Sequence, residues 1–172
     1  MGGRFVATAF LVACAGCGYG LKLVVGPTID TFGRAGVECR VTAEAQVAVP
    51  SSTPILLGIE AGGGGGLLGH EQVGDGAVYA GASVYAPLKH LDLRGGVFYS
   101  GRFFSAPMSV GRLDGIGGSI GLQKSVRDIG DEGRLILGAE ADGEYAAGGN
   151  VDRGIFLLGF QLELSRFHVL VL

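Results

Sequence analysis

The chain has 172 residues, enough for one domain with its own interior, and its formal net charge at pH 7 is −3. Charged residues make up 17% of the sequence, whereas soluble domains typically contain ~25%. The weak negative charge and the lack of a basic stripe exclude a nucleic-acid-binding surface, and no apolar run reaches the ~18 residues that a membrane-spanning helix requires.

Residues 1–17 have the pattern of an export signal. Arg4 provides a positive start, residues 5–13 form an apolar segment, and small residues follow. The sequence Leu-Val-Ala-Cys that ends at Cys14 is similar to the bacterial lipobox, in which the cysteine is lipidated and becomes the mature N-terminus. Two interpretations stay open: lipid attachment at Cys14, or ordinary cleavage near Ala13 to Cys17 without a lipid.

Eight segments after this signal are strand-like, most of them with clear alternation of apolar and polar residues. They cover residues 19–28, 37–49, 54–62, 76–86, 91–101, 115–125, 134–145 and 154–167. In the second segment every odd position is apolar, and the even positions are polar or charged until Ala48. A period of two predicts a β-strand with unlike faces, since a helix would mix both sets around its circumference. This strand is far longer than the roughly five or six residues usual in soluble domains.

The connections between these segments alternate in length. Residues 49–54 and 87–90 have the Pro or Ser chemistry of short turns. Residues 62–75, which open with five glycines, and residues 102–114 are predicted to be long loops, the glycines forming a flexible strand end. Two links depart from this alternation, because residues 126–133 are long for a turn and residues 30–35 are short for a loop.

Together, the export signal, the eight strands and the alternating links resemble the small eight-stranded outer-membrane β-barrels of Gram-negative bacteria. The resemblance covers residues 19–172. In the last strand, residues 159–164 (Gly-Phe-Gln-Leu-Glu-Leu) are similar to the terminal assembly signal of such barrels, although the family usually ends on Phe and this chain ends on Leu172. Aromatic girdles should be thin, because the sequence contains no Trp and only 5 Tyr.

The resemblance implies an all-β fold, a closed antiparallel up-and-down barrel of about eight transmembrane strands formed by residues 18–172. It also implies a location in the cell outer membrane, with outer-membrane lipid as the surrounding partner. We expect a monomer without a cofactor. Low charge, three lysines and the bulky Phe156, Phe160 and Leu162 opposite Glu163 favour lipid on the outside of the barrel.

Polar faces that point inward would place ten charged side chains in the lumen. These are Glu38, Arg40, Glu44, Glu60, Asp92, Arg94, Glu140, Asp142, Glu144 and Glu163, with Lys22 as a further candidate. Eight-stranded barrels are filled by their side chains and leave no open channel, and buried charges must be paired or neutralised. We therefore expect Arg40 and Arg94 to pair with carboxylates in a structural plug. The alternative is a cation or polyamine site that uses the surplus acid.

The outer rim is a second candidate for cation binding. If the chain ends lie in the periplasm, Glu38, Glu60, Asp142 and Glu144 reach the outer rim, flanked by Asp75 and Asp152. Hard divalent cations such as Ca²⁺ and Mg²⁺ prefer oxygen clusters of this kind, which makes Asp142 and Glu144 the metal candidates. We favour neutralisation of the rim by Arg34, Arg40 and Arg153, without a metal.

No catalytic motif is evident, and we expect no enzymatic activity. Some barrels of the resembling class are lipid A deacylases with a His-x-Ser arrangement, but Ser does not stand two places after His70, His90 or His168. HExxH and phosphate-loop patterns are also missing. Residues 117–121 (Gly-Gly-Ser-Ile-Gly) match GxSxG, but they lie inside a predicted strand and lack the strand-to-helix turn that this motif requires. Cys39 is unpaired on the apolar face, where a cysteine acts as a small hydrophobic residue.

The sequence therefore predicts an outer-membrane barrel with a structural or surface-interaction role and no open pore. A surface ligand would contact the loops at residues 62–75 and 102–114. One alternative is a soluble or periplasmic lipocalin-like barrel whose apolar face turns inward around a small hydrophobic ligand. A lipid-modifying enzyme is the other.

Overall fold

The structure, a computed structural model, describes residues 17–49, 55–69, 73–88, 90–104, 112–130, 133–149 and 151–167. Its elements are β1 (Cys17–Asp30), β2 (Ala35–Val49), β3 (Ile55–Leu68), β4 (Val73–Pro87), β5 (Asp92–Phe104), β6 (Leu113–Ile129), β7 (Gly133–Gly148) and β8 (Val151–Phe167). Each strand pairs antiparallel with its neighbour in sequence, and β8 closes the barrel on β1. The predicted all-β fold, an up-and-down barrel of eight strands, is confirmed. Within the described ranges, no helix is long and apolar enough to cross a membrane.

Side chains alternate between the lumen and the outer surface along every strand, as the two-residue period of a strand requires. In β2, Glu38 and Arg40 are buried while Val37 and Val41 are exposed. In β8, the Phe160 side chain is 82% exposed. The polar face therefore points inward and the apolar face outward, so the lipocalin-like alternative, which required the opposite arrangement, is wrong.

The strands are longer than the sequence suggested, and the links between them are shorter. Residues 62–66, the five glycines, belong to β3 and pair with both β2 and β4. The predicted long loop at residues 62–75 was therefore wrong, and only residues 69–72 separate β3 from β4. A β3 that passes through five glycines depends on the partner strands on both sides, because glycine itself favours no strand.

Two further links change in the same way. β5 and β6 extend into the predicted loop at residues 102–114, which leaves residues 105–112 between them. β6 and β7 extend into residues 126–133, so their turn is only residues 130–132, with Gly130 at a φ of 65°. The predicted alternation of short turns and long loops is therefore wrong, because residues 105–112 form the single link of more than five residues between the described strands.

The seam between β1 and β8 joins the two ends of the barrel. Its register pairs Val25 with Phe160 and Thr28 with Leu157, and the ladder is interrupted between these pairs. Pro27 lies in the interruption and has no N–H to donate. At the neighbouring Gly26, an added Cβ would lie 2.5 Å from the Gly159 Cα, so the backbone of β8 leaves no room for a side chain at this position.

We predict that Val41→Arg or Leu162→Arg prevents membrane insertion. Both residues are opposite Leu23, at mid-barrel level, and both are exposed on the apolar surface. Arg on the lipid face near the bilayer midplane costs roughly 2–4 kcal/mol. Refolding into lipid vesicles, followed by gel mobility with and without heating, measures insertion. The control Thr42→Ser faces the lumen and should insert normally; normal insertion of Val41→Arg together with failure of Thr42→Leu would mean that the faces are reversed.

We predict that Gly62→Ala destabilises the barrel and that the adjacent Gly63→Ala does so much less. A Cβ at Gly62 would lie 2.6 Å from the Thr42 Cα, whereas at Gly63 its nearest neighbour is the Ala77 carbonyl oxygen at 3.2 Å. Overpacking of this kind typically lowers the free energy of unfolding by about 1–3 kcal/mol, and we expect a loss in this range for Gly62→Ala. Urea unfolding in vesicles measures the stability of both variants. Equal losses would show that the close approach of the β2 backbone to Gly62 does not determine the effect of the substitution.

Candidate functional site

The lumen is the part of the molecule where charged side chains converge. Within the described ranges, thirteen of them are buried: the bases Lys22, Arg40, Arg94, Arg102 and Arg153, and the carboxylates Asp30, Glu38, Glu44, Glu60, Glu140, Asp142, Glu144 and Glu163. Nine of the ten predicted lumen residues belong to this set, and the tenth, Asp92, is half-buried at the start of β5. We call the end of the barrel with residues 31–34 the upper end, and the end with Cys17 and Phe167 the lower end.

Asp30 organises the upper end of the lumen. Its Oδ1 accepts hydrogen bonds from the backbone N–H groups of Phe32 (3.0 Å) and Arg34 (2.9 Å). Its Oδ2 lies 2.7 Å from Arg34 Nη2 and 3.5 Å from Arg153 Nε. One carboxylate therefore fixes the β1–β2 turn, in which Gly33 takes a φ of 75°, and attaches that turn to β8.

Arg102 lies below Asp30 in the lumen and connects β5 to β2 and β7. Its Nη2 lies 2.7 Å from Glu144 Oε2, and its Nη1 lies 3.3 Å from Glu38 Oε2. Tyr79 donates its hydroxyl to Glu38 Oε1 at 2.6 Å, and Ser100 donates to Glu144. A planar guanidinium with five donors can serve two carboxylates at once, which explains how one base holds both acids.

Arg40 occupies the middle of the lumen against an aromatic pair. Its Nη1 is 2.9 Å from Asp142 Oδ2, and its guanidinium carbon lies 4.1 Å from the ring centre of Tyr79. The Tyr79 and Phe98 rings meet edge to face, with centres 5.8 Å apart. The aromatic faces therefore partly replace the solvation that Arg40 loses on burial.

Lys22 and Arg94 share two carboxylates at the next level down. Lys22 Nζ lies 2.9 Å from Glu60 Oε2 and 3.2 Å from Glu140 Oε2. Arg94 reaches the same acids, with Nη2 2.7 Å from Glu60 Oε1 and Nη1 2.8 Å from Glu140 Oε2. Two bases and two acids thus form a charge cluster that links β1, β3, β5 and β7, and Glu140 Oε1 connects it to Arg40 Nη1 at 4.0 Å.

The lower end contains carboxylates that no base contacts. Glu44 accepts hydrogen bonds from Ser83 and from the Tyr85 hydroxyl. Glu163 Oε2 accepts one from Gln161 Nε2 at 3.0 Å. Among the described residues, neither carboxylate has a lysine or arginine nitrogen within ion-pair distance.

The predicted acidic rim does not form in the described part of the chain. Asp142 and Glu144, the metal candidates, are buried in the lumen against Arg40 and Arg102. Glu60 is a level below Arg40, against Lys22 and Arg94. No group of three metal-binding side chains is found in the described ranges. Of the two flanking acids, Asp152 accepts a hydrogen bond from Tyr145 at 3.0 Å on the outer surface, and the Asp75 side chain lies outside the described structure.

Sequence reasoning did not place three residues in the lumen: Asp30 and Arg102 were missed, and Arg153 was expected only at the outer rim. Each continues the inward phase of its own strand: Arg102 follows Arg94 by an even number of residues, and Arg153 precedes Glu163 in the same way. The predicted strands stopped too early to include them. Extending each inward phase to the next glycine or proline turn would have found all three.

The candidate reactive residues are dispersed or undescribed. His90 is exposed in the β4–β5 link, and Cys39 is exposed on the apolar surface of β2. His70, His168 and Cys14 lie outside the described residues, as does the predicted export signal except Cys17, which opens β1. Lipid attachment at Cys14 therefore stays a prediction.

The sequence matches no protein-family model and no curated protein. Among solved structures, the barrel is similar to Neisserial surface protein A (NspA), at 10% identity and a TM-score of 0.54, over 87% of this chain and 96% of that one. It is also similar to Ail, the attachment invasion locus protein of Yersinia pestis, at 9% identity and a TM-score of 0.48, over 87% and 98% of the two chains.

These identities are so low that the likeness concerns the fold alone. Of the two TM-scores, only that of NspA exceeds 0.5, so the fold comparison rests on that protein. It agrees with the closed antiparallel barrel seen here, and the architectural resemblance to small eight-stranded outer-membrane barrels is confirmed.

We predict that Arg94→Met destabilises the barrel by about 3–5 kcal/mol, because removing one partner of a buried ion pair leaves uncompensated charge. Glu60 would then keep only its contact with Lys22, and Glu140 would keep Lys22 and the longer 4.0 Å contact with Arg40 Nη1. Urea unfolding in vesicles measures the loss. The control is Arg112→Met, which removes an exposed pair with Asp114 on the outer surface and should leave stability unchanged. Equal stability of Arg94→Met and wild type would show that the cluster contributes little.

Proposed function

We propose that the protein is an outer-membrane β-barrel with a structural or surface-interaction role and no open pore. The observation that carries this proposal is the distribution of side chains: the outer surface of the barrel is apolar, and the charged side chains form a network in the lumen. No catalytic activity, nucleic acid or cofactor is part of the proposal. Outer-membrane lipid is the proposed surrounding partner, and the barrel is proposed to act as a monomer.

The outer surface supports a lipid environment. Ile116 is 71% exposed, Ile59 is 69% exposed and Phe160 is 82% exposed, on three different strands around the barrel. Soluble monomers rarely expose contiguous apolar patches larger than a few hundred Å². An apolar band around a closed barrel with a polar interior is the arrangement of outer-membrane barrels.

The lumen supports the absence of a pore. Arg102, Arg40 and Arg94 follow one another along the barrel axis. Arg102 and Arg94 each contact acids from two other strands, and Arg40 contacts acids of β7 and of its own strand, β2. Side chains fill an eight-stranded barrel in general. Ions would have to displace paired buried charges to pass, so we propose a rigid plug.

The upper end supports a surface role, provided that the chain ends lie in the periplasm. Phe32 is 60% exposed in the β1–β2 turn, and the guanidinium carbon of Arg34 lies 5.2 Å from its ring centre. An exposed aromatic ring beside a cation is typical of recognition surfaces. We therefore propose that a surface ligand contacts residues 31–34 and the 105–112 link, instead of the predicted loop at 62–75. NspA is named as a surface protein, which is consistent with this role.

The proposal is tested by expressing the full chain in a Gram-negative host. We expect the protein in the outer-membrane fraction, with a gel mobility that changes on heating. Vesicles that contain the refolded barrel should swell no faster in sugar solution than empty vesicles, with a porin as the positive control. Recovery in the soluble fraction would contradict the location, and fast swelling would contradict the plug while leaving the location intact.

A further inference from the structure

The charged side chains on the outer surface of the barrel are sorted by sign. Within the described strands, five charged residues follow the outward phase: Asp114, Lys124 and Arg127 on β6, and Asp152 and Arg166 on β8. The two acids lie at the upper ends of their strands, and the three bases lie at the lower ends. All five flank β7, whose own outward residues are uncharged.

The spacing of these charges matches the thickness of an apolar membrane layer. On β6, ten positions separate Asp114 from Lys124, and the outward residues between them include the exposed Ile116, Ile120 and Leu122. At ~3.3 Å per residue and a strand tilt of ~40°, this stretch rises by about 25 Å, which is the height of the apolar band of outer-membrane barrels. The acids therefore mark the upper boundary of the band, and the bases mark the lower boundary.

The charges at the two boundaries differ in their partners. At the upper boundary, Asp114 Oδ1 lies 2.7 Å from Arg112 Nε, and Asp152 accepts a hydrogen bond from a tyrosine hydroxyl at 3.0 Å. At the lower boundary, no carboxylate of the described residues lies within ion-pair distance of Lys124 or Arg127. Bases at the edge of an apolar layer attract anionic lipid headgroups, so the lower boundary is where a lipid supplies the missing charge.

A groove on the apolar surface begins at Lys124. Its volume is about 650 Å³, and the outward side chains that line it include Lys124, Leu122, Leu137, Ala139, Phe160 and Leu162. In the strand register, Ala139 of β7 lies between Leu122 of β6 and Phe160 of β8, so a small side chain forms the floor between two large ones. The volume is typical of a ligand site, and the apolar walls suit an acyl chain.

We propose that one phospholipid with an anionic headgroup, of the phosphatidylglycerol class, binds at the lower end of β6, β7 and β8. Lys124 and Arg127 hold its phosphate, Arg166 flanks the headgroup across β7, and one acyl chain lies in the groove over Ala139. In the register, Arg127 and Arg166 are two strands and two positions apart, which places their Cα atoms roughly 12 Å from each other. Two long side chains can reach one headgroup across this distance. Three bases favour a net negative headgroup over a zwitterionic one.

The test uses the full-length barrel refolded in detergent, to which phosphatidylglycerol or phosphatidylcholine is added. Native mass spectrometry counts the lipids retained by the protein. We expect wild type to retain one phosphatidylglycerol at a concentration roughly 10-fold lower than phosphatidylcholine requires. Lys124→Gln and Arg127→Gln should each weaken the binding of phosphatidylglycerol roughly fivefold, and the double variant roughly 30-fold, because each base near a membrane surface contributes about that factor.

Two further variants separate the headgroup from the acyl chain. Arg112→Gln removes a base from the upper boundary and should bind phosphatidylglycerol as wild type does. Ala139→Phe keeps every charge but fills the groove, and should also weaken binding. The site is overturned if wild type binds both lipids equally, or if the double variant or Ala139→Phe binds phosphatidylglycerol as tightly as wild type.

This inference rests on the proposed membrane location, and the two can fail separately. Gel mobility with and without heating shows whether each variant has folded into a barrel. Wild type that does not insert into vesicles contradicts the location and the lipid site together. Wild type that inserts normally but shows no preference for phosphatidylglycerol overturns the lipid site alone.

Discussion

The rest of this structure depends on the requirement that charge enclosed by a lipid-facing barrel must be neutralised within the barrel. Water can reach only the two ends of the lumen, so a charged side chain in the middle has no other partner than its neighbours. The pairing of Arg94 with Glu60 and Glu140, and of Arg40 with Asp142, fulfils this requirement level by level. Each pair also crosses between strands, so neutralisation and cohesion are achieved by the same contacts.

Shape complementarity accompanies this charge pairing. The side chains of the lumen are large, and glycines on the facing strands leave the space that they occupy. A Cβ at Gly117 would overlap the ring of Phe98, and a Cβ at Gly58 would overlap the carboxylate of Glu44. The many glycines of the chain are therefore partly the counterpart of its arginines, tyrosines and glutamates, because a narrow barrel can hold long side chains only where opposite positions are empty.

The sequence predicted the strands and their faces well because both follow from a local period. Alternation along residues 37–49 alone separates Glu38, Arg40 and Glu44 from Val37 and Val41, and the structure has them on those sides. The loop predicted at the five glycines, residues 62–66, was wrong because their structure does not follow from the local sequence. Glycine is a local signal for loops, and only the fit between β2, β3 and β4 makes residues 62–66 a strand.

The partners inside the lumen could not be predicted from local pattern. Lys22 contacts Glu140, a residue 118 positions away in sequence, and that contact depends on strand register and on the stagger of the closed barrel. Composition showed a surplus of acid but could not show where it lies. Its distribution depends on Arg102 and Arg153, which contact acids in the upper lumen and which the shorter predicted strands had left outside the lumen.

The seam between β1 and β8 has a consequence for how the protein folds. Seven of the eight strand pairings join neighbours in sequence, as in a series of hairpins, but Gly18 pairs with Phe167 across almost the whole chain. Loop-closure entropy makes such distant pairings slow to form, so the seam is expected to close last. Until it does, β1 and β8 each have an unpaired edge, and the edge of β1 contains Pro27. The chain must therefore be complete before it can be sealed, and an unfinished barrel remains exposed to mispairing with other strands.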